Sequence, residues 1–255
     1  MNNITKFKIP SILEDILKNL QKIGATPIIV GGSVRDYFLN IPIKDYDIEI
    51  FGINSLDIIQ KSLEKFGSVK LVGKSFGVLT LRVNEYDFDF ALPRTETKIG
   101  NTHQDFEVIT NANLSFKEAA IRRDFTINAI GYDFFKEEFL DPFDGINDLK
   151  NKIIKHINDT TFIEDSLRVY RAIQFASRFD FKIDENTKKL CKQMVLNDEL
   201  KYLPKERVYE EFKKLFLKST KPSIGFELLR ELGILKYFQE LEILIGCIQD
   251  PIYHP

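Results

Sequence analysis

The chain has 255 residues, 44% of them apolar and 29% charged, with a net charge of −2. That apolar share supports a real core and excludes wholesale disorder, and the length fits one large domain or two modest ones. A charge so near neutrality excludes a protein that is basic overall, so any surface for nucleic acid must be local.

The N-terminal stretch MNNITKFKIPSILEDILKNL is mixed and amphipathic, without the apolar segment of a secretion signal. No apolar run reaches the ~18 residues of a membrane helix. Cys191 and Cys247 stand far apart with no CxxC spacing, so the expectation is a reduced, cytoplasmic protein with no membrane partner and core-filling thiols.

Residues 11–24 carry helical spacing and end on Gly24, a candidate C-cap. TPIIVGG reads as a short buried strand stopped by glycine, with a helix starting at once in SVRDYFLN. KDYDIEIFG alternates as a strand: Asp45, Asp47 and Glu49 share one face, Tyr46, Ile48 and Ile50 the other. SLDIIQKSLEKFG is an amphipathic helix, and FGVLTLRV with YDFDFAL predicts two strands joined at Asn84-Glu85. From about Asp141 the strand signal fades. Four helical patterns follow, FIEDSLRVYRAIQFASRF, ENTKKLCKQMVLNDEL, PKERVYEEFKKLFLK and SIGFELLRELGILKYF. The expectation is an α+β head followed by an all-helical half. Residues 151–220 hold 15 Lys/Arg against 11 Asp/Glu, an excess of four positive charges that leaves the rest of the chain at −6. A basic helical half beside an acidic head suits a metal site facing a phosphate-rich ligand, and ordinary solvated helices can look the same.

Three constellations could carry chemistry. In the first, a strand ending at Gly31-Gly32 before a helix opening on Ser33 leaves backbone N–H groups free at the positive end of the helix dipole. Arg35 lies one turn along and suits bidentate phosphate contact. No GxxxxGK[ST] is present, so this is not a Walker A loop. Asp45 and Asp47 on one strand face can share divalent cations that clamp an in-line phosphoryl displacement. A third acid is expected, and Glu49, Asp87 and Asp89 are equal candidates. The second constellation is Arg122-Arg123 in AAIRRDFTINAI, able to hold a triphosphate; taken alone, it reads rather as two surface arginines balancing Asp124. The third is Asp165, Arg168 and Arg171 in EDSLRVYRAIQF, a helical stripe with Leu167, Tyr170 and Ile173 facing the core. A carboxylate accepts from the exocyclic amine of cytosine or adenine while a guanidinium donates to ring acceptors, so an Asp165/Arg168 pair would take C and A and reject U and G. The bland reading is a capping acid with a local ion pair. GKSFG matches the GxSxG elbow of serine hydrolases, but a strand follows it where a helix is required. His103, His156 and His254 are scattered, with no HExxH or CxxC.

In this order, GGSVRD, KDYDIEI, RRDFTINAI, EDSLRVYRAIQFASRF and ERVYEEFKKLF resemble the class II tRNA nucleotidyltransferases and bacterial poly(A) polymerases, over residues 28–216. The resemblance implies a polymerase-β-like nucleotidyltransferase head over residues 1–145, a helical neck over 146–220 and the start of a helical body over 221–255. It implies Mg2+-dependent addition of CMP and AMP to tRNA 3′ ends from CTP and ATP, with RNA and not DNA as partner. Sister activities share these motifs: poly(A) addition, or CC-only or A-only addition; a non-catalytic RNA-binding module is a further alternative. Carried over, Asp45 and Asp47 match the metal-binding pair and Asp89 the third acid. Gly31, Gly32, Ser33, Arg35 and Arg123 match nucleotide-binding positions, Asp165 and Arg168 the base-reading pair, and Arg171 a further nucleotide contact. Gln174 stands where many members have another arginine, and Ser166 where a proline is common. RTETKIGNTHQDFEV resembles a mobile loop of relatives, and DPIYHP the lead-in to a His/Asp phosphohydrolase domain, which implies a native chain continuing past Pro255.

Overall fold

The computed structural model describes residues 7–72, 77–98, 106–243 and 245–246. The GKSF stretch, His103, Cys247, His254 and the terminal DPIYHP lie outside the described residues. The chain divides into two compact units, residues 1–151 with 155–164, and residues 152–154 with 165–255.

The first unit is built on a seven-stranded sheet. Its strands are β1 (Thr26–Val30), β2 (Asp45–Phe51), β3 (Val69–Val72), β4 (Val78–Val83), β5 (Tyr86–Ala91), β8 (Gly131–Asp133) and β9 (Glu138–Leu140), in the order β3-β4-β5-β2-β1-β8-β9. Every pairing is antiparallel except β2 with β5. Strands β6 (Arg94–Lys98) and β7 (Phe106–Thr110) form a separate antiparallel pair, so the flanks of the expected polar loop are extended and paired.

The period-two alternation of the strands gives the sheet two unlike faces. Leu79, Leu81, Phe88, Phe90, Ile48 and Ile29 are buried on one face, in cross-strand pairs such as Leu79 with Phe90 and Phe90 with Ile48. Helices α1 (Ser11–Lys22) and α3 (Leu56–Leu63) cover it, α1 against β1 and α3 against β4, through Leu13, Leu17, Ile59 and Leu63. Each such side chain taken from water contributes about 1.5–3 kcal/mol. The other face is apolar only at one end, where Ile28, Val30 and Phe51 pack on Ala119 of α4 (Phe116–Ala120). The rest of that face carries the acids. Helix α2 (Gly32–Phe38) follows β1, and α1 ends in paired bonds from Gly24 N–H to Gln21 and Ala25 N–H to Leu20, the closure expected of Gly24.

Helices α5 (Gly145–Asn151) and α6 (Asp159–Ile163) belong to this unit. The anchors are specific: Asp148 Oδ2 accepts from Thr126 Oγ1 at 2.7 Å, and the Thr126 N–H donates to the Lys155 carbonyl at 2.9 Å.

The second unit is organised round α7 (Leu167–Phe179), with α8 (Glu185–Leu196), α9 (Lys205–Lys218), α10 (Pro222–Glu231) and α11 (Gln239–Glu242). Leu167, Tyr170 and Ile173 are buried as their spacing implies, together with Val169, Ala172 and Ala176. It is not wholly helical: β10 (Ile153–Ile154) pairs in parallel with β11 (Lys182–Ile183), two residues each and too short to leave a periodic signal. The pattern read as one helix over 162–179 is two, since residues 164–166 form a turn between α6 and α7 and belong to neither helix. No helix among the described residues is long and apolar enough to cross a membrane.

Cys191 is fully buried on α8, and burial pushes its thiol up to about 12. Only the thiolate alkylates, so in the native protein at neutral pH the peptide carrying Cys191 is expected to stay unlabelled by iodoacetamide. Peptide mapping before and after denaturation checks this; rapid native labelling would refute the burial.

Candidate active site

At the end of β1, Gly31 turns the chain with φ 72° and ψ −130°, a conformation that L side chains rarely adopt. A Cβ at Gly31 would lie 3.0 Å from Arg123 Nη1 and 3.4 Å from Asp47 Oδ2. The missing side chain thus lets a guanidinium and a carboxylate close on the backbone. Gly31→Ala is expected to destabilise the head by about 1–3 kcal/mol and to displace Arg123. Thermal melting tests this, and a wild-type melting temperature would rule out the close approach.

Gly32 opens α2, and the next two candidate residues face inward. Ser33 Oγ donates to the Val30 carbonyl at 3.2 Å. Arg35 Nη1 donates to Asn128 Oδ1 at 2.6 Å, and Nη2 pairs with Asp36 Oδ1 at 2.7 Å. Both side chains are buried; Ser33 ties the start of α2 to the end of β1, and Arg35 ties α2 to the turn at residues 126–128.

Asp45 and Asp47 share the exposed face of β2. The parallel register sets Asp47 beside Asp89 and Asp45 beside Asp87, on strands about 4.8 Å apart. Thr80 of β4 donates its hydroxyl to Asp89 Oδ1 at 2.6 Å. Asp47 keeps solvent access at the sheet surface although protein crowds round it. That desolvation pushes its carboxyl above the usual range, with Asp89, Glu49 and Asp45 adding to the rise and Arg123 opposing it. Carboxylates gathered against their own repulsion suit a hard cation. Among the described residues no three acidic, His or Cys side chains converge on one point. Asp45 and Asp47 are the residues that would hold a divalent ion on this face, where it would supply positive charge beside the guanidiniums of the cleft.

Glu49 shares the β2 face of these acids in sequence but not their environment. It is only 2% exposed, and its Oε1 takes Arg122 Nη2 at 2.7 Å and Arg123 Nη2 at 3.1 Å. Burial alone would push Glu49 up; Arg123 and Arg122 override it and hold the carboxyl below the usual range. The two arginines are thus not a surface pair balancing Asp124. Asp124 instead accepts from the Phe125 N–H at 2.8 Å and Asn128 Nδ2 at 3.0 Å. Asp47, Asp89, Glu49, Arg94, Arg122 and Arg123 help line a cavity of about 220 Å³, where acids that can hold a cation meet guanidiniums that can hold an anion.

In the second unit, Asp165 lies just before α7 and not on it. Its Oδ1 accepts the Leu167 N–H at 3.1 Å, and its Oδ2 pairs with Arg207 of α9 at 3.0 Å. Sequence reasoning missed Arg207, which stands 42 residues away with no local spacing to announce it. Arg171 lies 3.8 Å from Glu211 and stacks on Phe175 at 5.2 Å. Gln174 is buried, and its Nε2 has no hydrogen-bond partner among the described residues.

Residues 28–155 match the poly(A) polymerase head domain, and residues 180–244 match the family described as the probable RNA and SrmB-binding site of polymerase A. The multifunctional CCA protein of Pseudoalteromonas atlantica is 38% identical over 231 residues, covering 89% of this chain and 54% of that protein. Its counterpart in Haemophilus ducreyi is 37% identical over 230 residues, covering 89% and 53%. Among solved structures, a CCA-adding enzyme in its apo form II superposes with a TM-score of 0.77 at 28% identity, over 96% of this chain and 57% of that one. A tRNA nucleotidyltransferase complexed with a primer tRNA and an incoming ATP analog gives 0.70 at 31%, over 92% and 64%. The chain spans about half the length of the curated relatives it matches. With its nucleotidyltransferase head, paired strand acids and helical second unit, the chain belongs to the family of class II tRNA nucleotidyltransferases and bacterial poly(A) polymerases.

Proposed function

We infer that this chain adds CMP and AMP to the 3′ end of tRNA without a nucleic-acid template, using CTP and ATP and releasing pyrophosphate. The observation that carries the reading is the in-register pair Asp47–Asp89 next to Gly31 and Arg123. Acids and guanidinium meet there within one cleft, as phosphoryl transfer by positioning and charge neutralisation requires. Mg2+ at Asp45 and Asp47 would supply charge neutralisation for the attacking hydroxyl and the phosphates. Asp89 completes the acidic face and is oriented by Thr80. Arg123 and the Gly31-Gly32 backbone receive the triphosphate, with Ser33 and Arg35 bracing that turn.

In the second unit, Asp165 is held by Arg207 and by the Leu167 N–H, which fixes it as an acceptor for the exocyclic amine shared by cytosine and adenine, with Arg168 as donor and Arg171 as a further contact. Residues to about 220 then serve as neck and those beyond begin the body. The positive excess over 151–220 suits an RNA backbone, and the setting is cytoplasmic.

The test offers purified protein, Mg2+ and tRNA transcripts that lack CCA, end in CC, or are complete, each with CTP, ATP or both. CCA on the bare transcript supports the reading. Only A on the CC transcript, only CC, or long A tails would replace it with the corresponding sister activity, and no addition to any transcript would overturn it.

A further inference from the structure

Glu49 is the one acid on its face of β2 that is buried, while Asp45 and Asp47 are exposed. Three guanidiniums and two carboxylates meet round it: Glu49 holds Arg122 and Arg123, and Glu96 Oε1 takes Arg122 Nη1 at 3.3 Å and Arg94 Nε at 2.8 Å. The cluster keeps a net single positive charge. Both arginines converge on one oxygen of Glu49, while its other oxygen and Arg123 Nε have no hydrogen-bond partner among the described residues. As a stabilising element that is poor design, since buried polar atoms are almost always paired and an apolar trio of equal volume serves a core as well or better. The geometry does achieve something else. Arg123 is forked, with Nη2 on Glu49 and Nη1 against the bare Gly31 backbone and within 3.5 Å of the Asn128 carbonyl. A guanidinium anchored through one nitrogen loses its rotational freedom and presents its remaining donors in one direction.

We propose that Glu49 is a positioning residue that aims Arg123 at the triphosphate of the incoming nucleotide, beside Asp47. The proposal rests on the nucleotidyl-transfer reading above. Glu49 touches neither nucleotide nor cation; it acts through Arg123, while Arg122, shared with Glu96, ties the clasp to β6.

The experiment measures CTP and ATP binding by calorimetry, and steady-state KM and kcat, for wild type, Glu49→Gln, Glu49→Asp, Arg123→Ala and the double variant Glu49→Gln/Arg123→Ala. A charge-assisted bond is replaced by a neutral one in Glu49→Gln, so nucleotide affinity is expected to fall about ten- to a hundredfold, chiefly in KM. Glu49→Asp should recover part of the loss. In the Arg123→Ala background the substitution at Glu49 should change affinity little, because the residue it aims is gone. If Glu49→Gln does not fold, Glu49→Gln/Arg122→Met removes one buried charge of each sign and is read in the same assays with the same expectation.

Three results overturn the proposal: unchanged nucleotide affinity in a folded Glu49→Gln protein, a loss that persists undiminished in the Arg123→Ala background, or a fall in kcat alone with binding intact, which would make Glu49 part of the cation site. Wild-type protein that binds neither CTP nor ATP would overturn the nucleotidyl-transfer reading itself, and is distinguished by that control.

Discussion

Replacing Asp45 and Asp47 together by alanine is expected to abolish nucleotide addition, by at least about a thousandfold, while CTP and ATP still bind. The reason lies in where the charges sit. Asp45 and Asp47 are exposed on the face of β2 opposite the buried Tyr46, Ile48 and Ile50, so their loss leaves the core untouched. Desolvation first, and repulsion from Asp89, Glu49 and Asp45 after it, hold Asp47 above the usual range against the pull of Arg123; both costs are relieved, so melting is not expected to fall. The guanidinium side of the cleft, Arg123 against Gly31, remains to hold the triphosphate. On the proposed reading, what disappears is the negative charge that would hold a divalent ion, whose charge neutralisation is worth several kcal/mol at a tenfold rate per ~1.4 kcal/mol. Gel-resolved addition to a CCA-less transcript, with calorimetric CTP binding, checks both halves. Turnover within tenfold of wild type would remove Asp45 and Asp47 from the cation site.

The second large effect is expected at Gly145, which is far from the acids in sequence and bears on them through packing. A Cβ there would overlap the Thr126 carbonyl oxygen and lie 3.0 Å from Ile130 Cγ1. The first neighbour is backbone, which cannot swing aside as a side chain does. Asp141 pins the start of α5 from the other side, accepting the Gly145 N–H at 2.7 Å and the Ile146 N–H at 2.9 Å. Gly145→Ala must therefore move either α5 or the turn at residues 126–128. Overpacking of this kind costs about 1–3 kcal/mol or more, which lowers the melting temperature by roughly 5 °C in a chain of this size. The same turn carries Asn128, the acceptor for Arg35 and Arg123, so CTP affinity should fall with it. A variant that melts within a degree of wild type would show that α5 does not clamp the turn.

Much of the head was legible from local pattern. The alternation in KDYDIEIFG placed Asp45 and Asp47 on one face and Tyr46, Ile48 and Ile50 on the other, and β2 is built that way. The glycines after TPIIV marked the turn that Gly31 makes, and the spacing of Leu167, Tyr170 and Ile173 gave the buried face of α7. These features repeat every two or 3.6 residues and are set by the chain's own geometry. The extra strand β3, with three of its four residues exposed and no alternation to read, and the break between α6 and α7 left no such trace.

The site divides along the same line. Residue types and their faces narrowed the third acid to Glu49, Asp87 and Asp89, and nothing local went further. The parallel register of β2 with β5 put Asp89 beside Asp47, and the fold buried Glu49 under guanidiniums that stand 73 and 74 residues away. The Asp165–Arg207 pair spans 42 residues in the same manner. By itself, then, the sequence determined which faces are acidic, where the chain turns and which helices are amphipathic. The tertiary structure decided which acid stays open on the strand face and which meets an arginine, because charge pairing depends on distance and desolvation, and both are defined only once the strands are in register and the core has closed.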